Sequence, residues 1–575
     1  MSALVVERPG VLASVQDLGR FGHGSLGVAV SGAADRTSLR VGNRLVGNPD
    51  GAAAIETTLV GGTFRLEDDR EVTLTGSACG ARVVSAGRSR EAPMWRAFRV
   101  HAGETVECGA MDAGLRTYVC VSGGVETAPV LGSRSTHATT GLGSALGRTL
   151  RANDRLELGR PFGRAASEGD PGKLRDLIRS VVPGSGVRRV RATWGAQAGW
   201  FDDGARSAFA GAVFRVSTTS DRVGVRLEGP AIRAHAGGTM RTEGVVCGAV
   251  QAWAGGGVVV LGADGSPTGG YPVIACVAAV DLDMFAQRPL GSEVGFEMIG
   301  VDEARRLARE RAMLVDRAVP PAFTIDLNAD VGEDPAALAD GRERALIGCL
   351  TSVNIACGGH AGDAGTMREV VRVAHAGGCA IGAHPSYPDR EGFGRRAVEM
   401  PVEQLEACVA GQIAALGAIA RAEGVELAHV KAHGALYHAA SHDGAAAAAV
   451  GRAARAWSER LVMVGAAGSG AIDVWRSMGL HAIGEGFADR RYGADGELVS
   501  RSEMGAVIED PARGAAQALR LAERGEVAAA DGSVVRAPCG TICVHGDTAG
   551  AVEIARAVRA VMDARGIAVR AGGVR

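Results

Sequence analysis

The chain has 575 residues, of which 46% are hydrophobic and 22% charged, and its formal net charge is -2. Because single hydrophobic cores stop growing at about 250–300 residues, this length predicts at least two globular domains, and the composition disfavours disorder. The near-neutral charge excludes the basic surface of a nucleic-acid-binding protein and gives no attraction to anionic membranes.

Cysteine usage and the first residues favour a cytoplasmic protein. The eleven cysteines contain no Cys-x-x-Cys pair, which argues against a disulfide framework and against a thiolate zinc site. No uninterrupted run of about 18 apolar residues occurs, and residues 1–10 lack the basic-then-apolar pattern of a signal peptide. We therefore expect a reducing compartment and no membrane partner.

The first 300 residues predict a β-rich half. Short β-branched runs alternate with Gly, Pro, Asn and Asp, as in an all-β domain. A polar stretch that ends in a helical pattern divides this half into a lobe at residues 1–160 and a helical connection with a second lobe at 161–301. A charged helix stopped by two prolines then predicts a linker at 302–321.

Residues 322–575 show a different pattern, in which short apolar strands alternate with Ala-rich helical stretches. Such alternation is typical of repeated βα units. Seven strands are predicted, and they end near Leu327, Ala356, Ala383, Val430, Gly465, Gly484 and Val544. Polar or glycine residues follow most of these ends, and βα barrels build their active sites there, so the pattern predicts a barrel enzyme.

Six segments place carboxylate, imidazole or cationic side chains where a predicted strand gives way to a loop. Any one of them has an ordinary structural explanation, but together they indicate an acid, a base and a cation at one barrel mouth, as polar-bond hydrolysis requires. The candidate catalytic residues are Asp326, Asp330, His360, Asp363, His384, Lys431, His433, Glu485, Arg490, His545 and Asp547. The candidate substrate-binding residues of this half are Asn328, Asn354 and Tyr387.

Two features leave the role of these residues open. Lysine occurs only at Lys173 and Lys431, so a lysine inside a motif suggests a task that the rigid arginine fork would not perform. An Asp together with His360, His384 and His545 could instead ligate a divalent ion. No His-Glu-x-x-His spacing is present, however, and a protein-bound metal stays unassigned.

In their order along the chain, the C-terminal segments resemble the LamB/YcsF family, the A component of bacterial 5-oxoprolinase. The resemblance covers residues 322–575 and departs locally, as at Gly359, where we expect an aromatic residue. It implies a βα barrel related to polysaccharide deacetylases. It also implies the ATP-driven opening of 5-oxo-L-proline to L-glutamate.

That reaction assigns roles to the candidate residues. A lactam is a poor electrophile until its carbonyl oxygen is phosphorylated, so opening needs cations for phosphate, a base for water and an acid for nitrogen. The resemblance implies Lys431 and Arg490 for the first role. The second role falls to Asp326 or Asp330, and the third to His384 or His433.

The N-terminal half carries six runs that are each typical of β-turns. They are Ser14–Arg20, Ser31–Asp35, Asn43–Asn48, Ser220–Gly224, Thr242–Gly244 and Thr268–Pro272. Taken in order, they resemble the biotin-dependent carboxyltransferase-like family, which includes allophanate hydrolase subunit 2 and the C component of 5-oxoprolinase. The resemblance implies two cyclophilin-like β lobes, with Arg222 and Tyr271 nearest a substrate site.

Nucleotide and cofactor expectations follow from short motifs. Neither lysine has the Met-Lys-Met context of biotin attachment, so no biotin is expected, and no Gly-x4-Gly-Lys-Ser/Thr phosphate loop is present. A glycine-rich turn with Gly465, Gly468 and Gly470 is the candidate anion cradle for ATP. Magnesium is expected to accompany ATP through phosphate and water.

The 5-oxoprolinase resemblance implies three components, of which this chain supplies look-alikes of A and C. We therefore expect a separate B-type subunit, while homo-oligomerisation stays open. The alternative function is an ATP-dependent amide or urea-type hydrolase or carboxyltransferase that acts on another lactam or carbamoyl substrate. A regulatory role for the β half alone would leave the polar residues of the barrel unexplained.

Overall fold

The computed structural model describes residues 2–143, 147–162, 168–182, 186–235, 240–253, 255–321 and 324–571. The chain forms two compact units, one of Met1–Ala322 with Ala564–Gly566 and one of Phe323–Asp563 with Ile567–Arg575. All eleven cysteines are free thiols.

The first lobe of the N-terminal unit consists of two antiparallel sheets that enclose an apolar core. Its elements are β1 (Ala3–Arg8), β2 (Leu12–Gln16), α1 (Arg36–Leu45), β3 (Ala54–Thr58), β4 (Thr63–Leu66), β5 (Arg70–Gly76), β6 (Arg82–Ser85), β7 (Arg88–Glu91), β8 (Ala97–Val100), β9 (Thr105–Glu107), β10 (Arg116–Val121) and β11 (Arg155–Glu157). One sheet has the order β11-β1-β4-β9-β6-β7 and the other β2-β3-β10-β5-β8. Leu4 and Phe64 of the first sheet share one buried cluster with Ile55 and Val119 of the second.

The second lobe is a closed β-barrel of order β12-β19-β16-β17-β14-β13-β20. Its elements are α2 (Pro171–Val181), β12 (Arg188–Trp194), α3 (Asp203–Gly211), β13 (Val213–Val216), β14 (Gly224–Glu228), β15 (Glu243–Gly244), β16 (Ala249–Ala252), β17 (Val258–Leu261), β18 (Thr268–Gly269), β19 (Val273–Val277), α4 (Ala279–Ala286), β20 (Glu293–Met298) and α5 (Val301–Ala318). Phe209 stacks on Phe296 in its core, with ring centroids 4.6 Å apart.

Helix α5 lies within the N-terminal unit, although the sequence predicts a linker at residues 302–321. Val315 packs with Leu177 of α2 in one apolar cluster, and Arg44 of α1 pairs with Asp316 at 2.9 Å. These buried contacts make the C-terminal end of α5 part of the N-terminal core.

The C-terminal unit is a parallel βα barrel. Its elements are β21 (Thr324–Val331), α6 (Pro335–Ala339), α7 (Arg342–Ile347), β22 (Ser352–Ala356), α8 (Ala364–Ala376), β23 (Ala380–His384), α9 (Val402–Ala422), β24 (His429–Lys431), α10 (Gly434–His442), α11 (Gly444–Trp457), β25 (Val462–Ala466), α12 (Gly470–Ser477), β26 (Ala482–Phe487), α13 (Pro511–Arg524), β27 (Glu526–Ala528), β28 (Val534–Arg536), β29 (Thr541–Cys543), α14 (Ala551–Arg565) and β30 (Ala568–Val569).

Seven of these strands close a ring in the order β21-β22-β23-β24-β25-β26-β29, with β29 paired back to β21. Every pairing in the ring is parallel, so all seven carboxyl ends meet at one mouth. The predicted seven-stranded barrel is confirmed. Strand β21 continues to Val331 rather than ending near Leu327, and β26 continues to Phe487 rather than ending near Gly484.

Helix α9 is the one helix among the described residues whose length and composition would allow it to cross a membrane. In this structure it packs against α11 and β23. Its buried positions include Leu405, Val409, Ile413 and Leu416, which follow helical spacing along one face.

Candidate active site at the barrel mouth

A cavity of about 560 Å³ opens at the carboxyl ends of the barrel strands. This volume lies in the range of small-molecule sites. The predicted site residues that line it are Asp330, His384, Lys431, His433, Glu485, Arg490, His545, Asp547 and Gly468. Glu333, Arg395, Tyr437, Phe487, Ser469 and Arg501 line it as well.

Lys431 lies at the inner end of this cavity between two carboxylates. Its Nζ is 2.8 Å from Oδ1 of Asp330 and 2.9 Å from Oε1 of Glu485, and the lysine side chain is 3% exposed. Burial opposes the charge, but Asp330, Cys543 and Glu485 together raise the pKa of Lys431 well above its usual value. Tyr437 donates a 2.8 Å hydrogen bond to the other oxygen of Glu485. The ammonium is therefore a fixed cation facing the cavity.

Beneath this cation a polar floor fills the barrel interior. Asn354 donates to Asn328 at 2.8 Å and to Asp330 at 2.9 Å. The ring of His429 lies beside them, with Nε2 2.8 Å from the Asn354 oxygen, and burial lowers the pKa of His429 to about 3. Asn328 and Asn354, predicted to bind substrate, do not line the cavity. Asn354 donates to Asp330, and Asn328 donates to Glu485.

Asp326 belongs to this floor and not to the mouth. Its carboxylate accepts hydrogen bonds from the hydroxyls of Thr351, Ser352 and Thr541, at 2.6, 2.6 and 2.5 Å. Burial raises the pKa of Asp326. Asp326, which the sequence suggested as a general base, is therefore surrounded by three hydroxyls and does not line the cavity.

Three histidines gather around Glu333 on one side of the cavity. Nε2 of His360 lies 2.9 Å from Oε1 of Glu333, and Nδ1 of His433 lies 3.1 Å from the same oxygen. Nε2 of His384 is 2.9 Å from Nδ1 of His433. Burial lowers the pKa of His360 to about 4, and its ring stacks on His433 with centroids 3.6 Å apart.

Glu333 is absent from the sequence-derived candidates. It comes two residues after Val331, the last residue of β21, so the expected strand end near Leu327 placed it too far into the loop. Although burial opposes ionisation, hydrogen bonds from His360 and His433 hold the pKa of Glu333 below its usual range. Had the strand been predicted to end at Val331, Glu333 would have been a candidate residue at its carboxyl end.

A histidine and aspartate pair places the His545 ring in the cavity lining. Nδ1 of His545 is 3.0 Å from Oδ1 of Asp489, and this carboxylate also accepts from the His545 backbone at 2.9 Å and from Thr548 at 2.6 Å. The His545 ring stacks on Phe487 at 5.4 Å between centroids. Because the carboxylate accepts the Nδ1 proton, Nε2 is the nitrogen of His545 that remains for a ligand.

Three arginines in the cavity lining lie close to Asp547. Arg395 and Arg501 both pair with Asp547, at 2.9 and 2.7 Å, and Arg490 donates to the Val499 carbonyl at 2.7 Å. Asp547 thus pairs with two of the three guanidinium groups. Guanidinium groups bind carboxylate and phosphate well, so these arginines form a candidate site for an anionic ligand.

The glycine-rich turn after β25 also reaches the cavity, through Gly468 and Ser469. Gly468 has φ +83°, which favours glycine, and the Ser469 hydroxyl has no hydrogen-bond partner among the described residues. Gly465 has a different role, because a Cβ there would lie 2.8 Å from the Trp475 ring. Gly470 begins α12.

Two further predicted residues lie away from the cavity lining. Asp363 caps α8, where its carboxylate accepts from the backbone of Gly365 and Thr366, and it does not line the cavity. Tyr387 is 7% exposed and does not line the cavity, because it is packed into the loop after β23. His360 lies behind His433 and reaches the cavity only through Glu333.

The two N-terminal candidates have different surroundings. Arg222 is buried between Glu56 of the first lobe and Asp264 of the second, pairing with both, and it donates to the Gly32 carbonyl at 2.6 Å. Because its guanidinium nitrogens all donate to these partners, Arg222 links the two lobes. Tyr271 is 52% exposed just before β19.

The chain matches two protein families in succession. Residues 26–298 match the carboxyltransferase domain, subdomain A and B, and residues 325–573 match the LamB/YcsF family. The 5-oxoprolinase A component of Methylococcus capsulatus is 49% identical over 252 residues, which cover 44% of this chain and 97% of that protein. The corresponding protein of Chloroflexus aggregans is 51% identical over 248 residues, 43% of this chain and 98% of the relative.

Solved structures resemble each half. A lactam utilization protein from Thermus thermophilus is 42% identical, with a TM-score of 0.41, over 43% of this chain and the whole of that one. The K. lactis urea amidolyase is 25% identical, with a TM-score of 0.50, over 56% of this chain and 20% of that one. The chain thus belongs, through residues 325–573, to the LamB/YcsF family, and it carries a carboxyltransferase-type domain before that barrel.

Proposed function

We propose that this protein combines the A and C components of an ATP-dependent 5-oxoprolinase, an enzyme that opens 5-oxo-L-proline to L-glutamate. The observation that carries the proposal is the enclosed ammonium of Lys431, held between Asp330 and Glu485 in a cavity of small-molecule size. The identity of about half of the barrel residues to curated 5-oxoprolinase A components supports the same substrate.

The cavity offers a separate group for each part of such a reaction. The rim arginines Arg395, Arg490 and Arg501 would bind phosphate, with the Ser469 hydroxyl at the glycine-rich turn on the other side. Lys431 would stabilise the negative charge that develops on the lactam oxygen. Mg²⁺ would enter with ATP, held through phosphate and water, and no biotin is required.

His545 is the best-placed proton-transfer group. Its Nδ1 is held by Asp489, so Nε2 can take a proton from the attacking water and return it to the ring nitrogen as the carbon–nitrogen bond breaks. This replaces the roles suggested for Asp326 and Asp330. Asp326 is enclosed in the floor, and His384 and Lys431 keep the pKa of Asp330 well below its usual value despite burial, which makes it a weak base.

The carboxyltransferase-type half suggests a second candidate, an ATP-dependent hydrolase or carboxyltransferase that acts on a carbamoyl substrate. Its support is the similarity of that half to the urea amidolyase. The two candidates separate in one assay of the chain mixed with a B-type protein, in which phosphate release is measured with 5-oxoproline, urea, allophanate or another lactam. Our proposal requires 5-oxoproline to give the highest kcat/KM, and release with urea or allophanate alone would reject it.

A further inference from the structure

The side chains around Glu333 pose a chemical problem that the proposed reaction leaves unsolved. His384 places Nδ1 2.8 Å from the Lys431 carbonyl, and His433 places Nε2 3.0 Å from the Phe393 carbonyl. A carbonyl oxygen only accepts, so both of these nitrogens carry hydrogen. When both rings are neutral, Nε2 of His384 and Nδ1 of His433 each carry a lone pair and no hydrogen. These two nitrogens face each other at 2.9 Å.

A third acceptor completes a triangle with them. Oε1 of Glu333 lies 3.1 Å from Nδ1 of His433 and 3.7 Å from Nε2 of His384. One shared proton can join only two of these atoms. Neighbouring ligands of a divalent metal with bonds of about 2.1 Å stand roughly 3.0–3.4 Å apart. The edges of this triangle, 2.9, 3.1 and 3.7 Å, lie on either side of that spacing, so a small adjustment of the Glu333 side chain would bring all three atoms to one ion.

We propose that Glu333, His384 and His433 bind one divalent transition-metal ion at the side of the barrel cavity. Two imidazoles and a carboxylate suit zinc or a neighbouring first-row metal rather than magnesium. The carbonyls behind His384 and His433 fix the ring tautomers, as the outer partners of metal-bound histidines do. All three ligands line the cavity, so the remaining coordination positions face the substrate space, where Asp330 Oδ2 lies 3.3 Å from the His384 nitrogen.

His360 is assigned a different task in this site. Its ring is parallel to that of His433, with 3° between the planes and 3.6 Å between the centroids. A single ion cannot lie in both ring planes, so only one of these two histidines can bind it. Nε2 of His360 is 2.9 Å from Glu333, and it therefore acts as a positioning residue that donates to the ligand carboxylate.

The test uses the full-length chain, stripped with a chelator and titrated with Co²⁺, whose visible absorption reports its ligands. We expect one Co²⁺ per chain, displaced by Zn²⁺, and X-ray absorption of the zinc-loaded protein should show two imidazole nitrogens. His360→Gln should weaken binding about 10–100-fold, as removal of an outer partner does, and His433→Gln should weaken it further.

His442→Gln is the matched control, because His438, His442 and Glu497 form one of two rival groups of potential ligands. It should leave the titration unchanged. The other rival, Asp330, Cys543 and His545, contains a single imidazole, so the count of imidazole nitrogens around zinc separates it from the proposed site. Melting curves show whether each variant folds. The cobalt absorption spectrum of the unmodified protein tests the site even if a variant fails to fold. No cobalt band at equimolar metal, fewer than two imidazoles around zinc, or unaltered binding by folded His433→Gln would overturn the proposal.

Discussion

Asp326, Asn328 and Asp330 alternate along β21, and each side chain meets different partners inside the barrel. Asp326 accepts hydrogen bonds from three hydroxyls. Asn328 donates a 3.0 Å hydrogen bond to Glu485, and Asp330 pairs with the Lys431 ammonium. Since positions two apart on a strand share one face, all three side chains point to the same interior. Only Asp330 lies at the level of the cavity.

This difference in depth predicts different effects for two similar variants. Asp330→Asn should lower kcat/KM about 100-fold or more, because the Lys431 cation loses a charged partner. Asp326→Asn should act mainly on stability, by about 1–3 kcal/mol, since an amide nitrogen cannot accept from a hydroxyl. Steady-state kinetics and urea denaturation of both variants check this, and a larger activity loss in Asp326→Asn would contradict it.

The His545 and Asp489 pair should behave as one catalytic unit. His545→Gln should lower kcat about 10²–10⁴-fold, and Asp489→Asn should also lower it strongly because the ring loses its fixed tautomer. Residues that act together give non-additive effects, so the double variant should be no slower than the slower single one. If the fold-decrease in kcat of the double variant equalled the product of the two single decreases, the two residues would act separately.

Strand β23 passes close to β24 at a glycine. A Cβ at Gly382 would lie 2.1 Å from Nε2 of His429, the buried ring that bonds to Asn354. A second close approach occurs at Gly359, where a Cβ would lie 2.4 Å from the Gln412 oxygen and the Ser386 hydroxyl. The family resemblance led us to expect an aromatic residue at position 359. Gln412 and Ser386 leave no room for an aromatic ring there, which explains the glycine.

Gly382→Ala should destabilise the barrel by about 1–3 kcal/mol, because His429 must move from a well-packed position. Gly411→Ala, in α9 with nothing within 4 Å of the added Cβ, is the control. It should leave stability unchanged or raise it by about 0.5–1 kcal/mol. Denaturation midpoints measure both, and equal effects would refute the packing argument.

The strands of the barrel could be predicted from the sequence. The depth of each side chain inside the barrel and its long-range contacts could not. Apolar runs followed by polar residues predicted seven strands, and their ring is observed. Periodicity assigns Asp326 and Asp330 to one face but cannot say which reaches the mouth. Glu333 was missed with the end of β21, and the burial of Arg222 depends on contacts with a lobe more than 160 residues away along the chain.

The two lobes of the N-terminal unit are joined by a buried ion cluster. Glu56 is 1% exposed and pairs with both Arg222 and Arg116, while Asp264 is 5% exposed and pairs with Arg222. Burial opposes the charge of Glu56, yet Arg222 and Arg116 hold the pKa of Glu56 below its usual value. Removal of one partner would leave charges buried without compensation.

Arg222→Ala should therefore lower the stability of the N-terminal unit by about 3–5 kcal/mol. Arg96→Ala, which breaks an exposed pair with Glu168, should cost at most about 1 kcal/mol. Calorimetry of both variants resolves the unfolding of each unit. A transition that is unchanged in Arg222→Ala, together with a selective loss of substrate binding, would restore the binding role suggested by the sequence.

The 5-oxoprolinase proposal has consequences for the assembly, since it assigns the A and C components to this chain and therefore expects the B component in a separate chain. The most direct test is coupled measurement of glutamate formation and phosphate release on mixing this protein, a B-type protein, ATP and 5-oxoproline. We predict equal amounts of both products from the complete mixture, and little of either when any one of the four is omitted. Full activity without the B-type protein would contradict the proposed division of roles, and ATP hydrolysis indifferent to 5-oxoproline would contradict the proposed function.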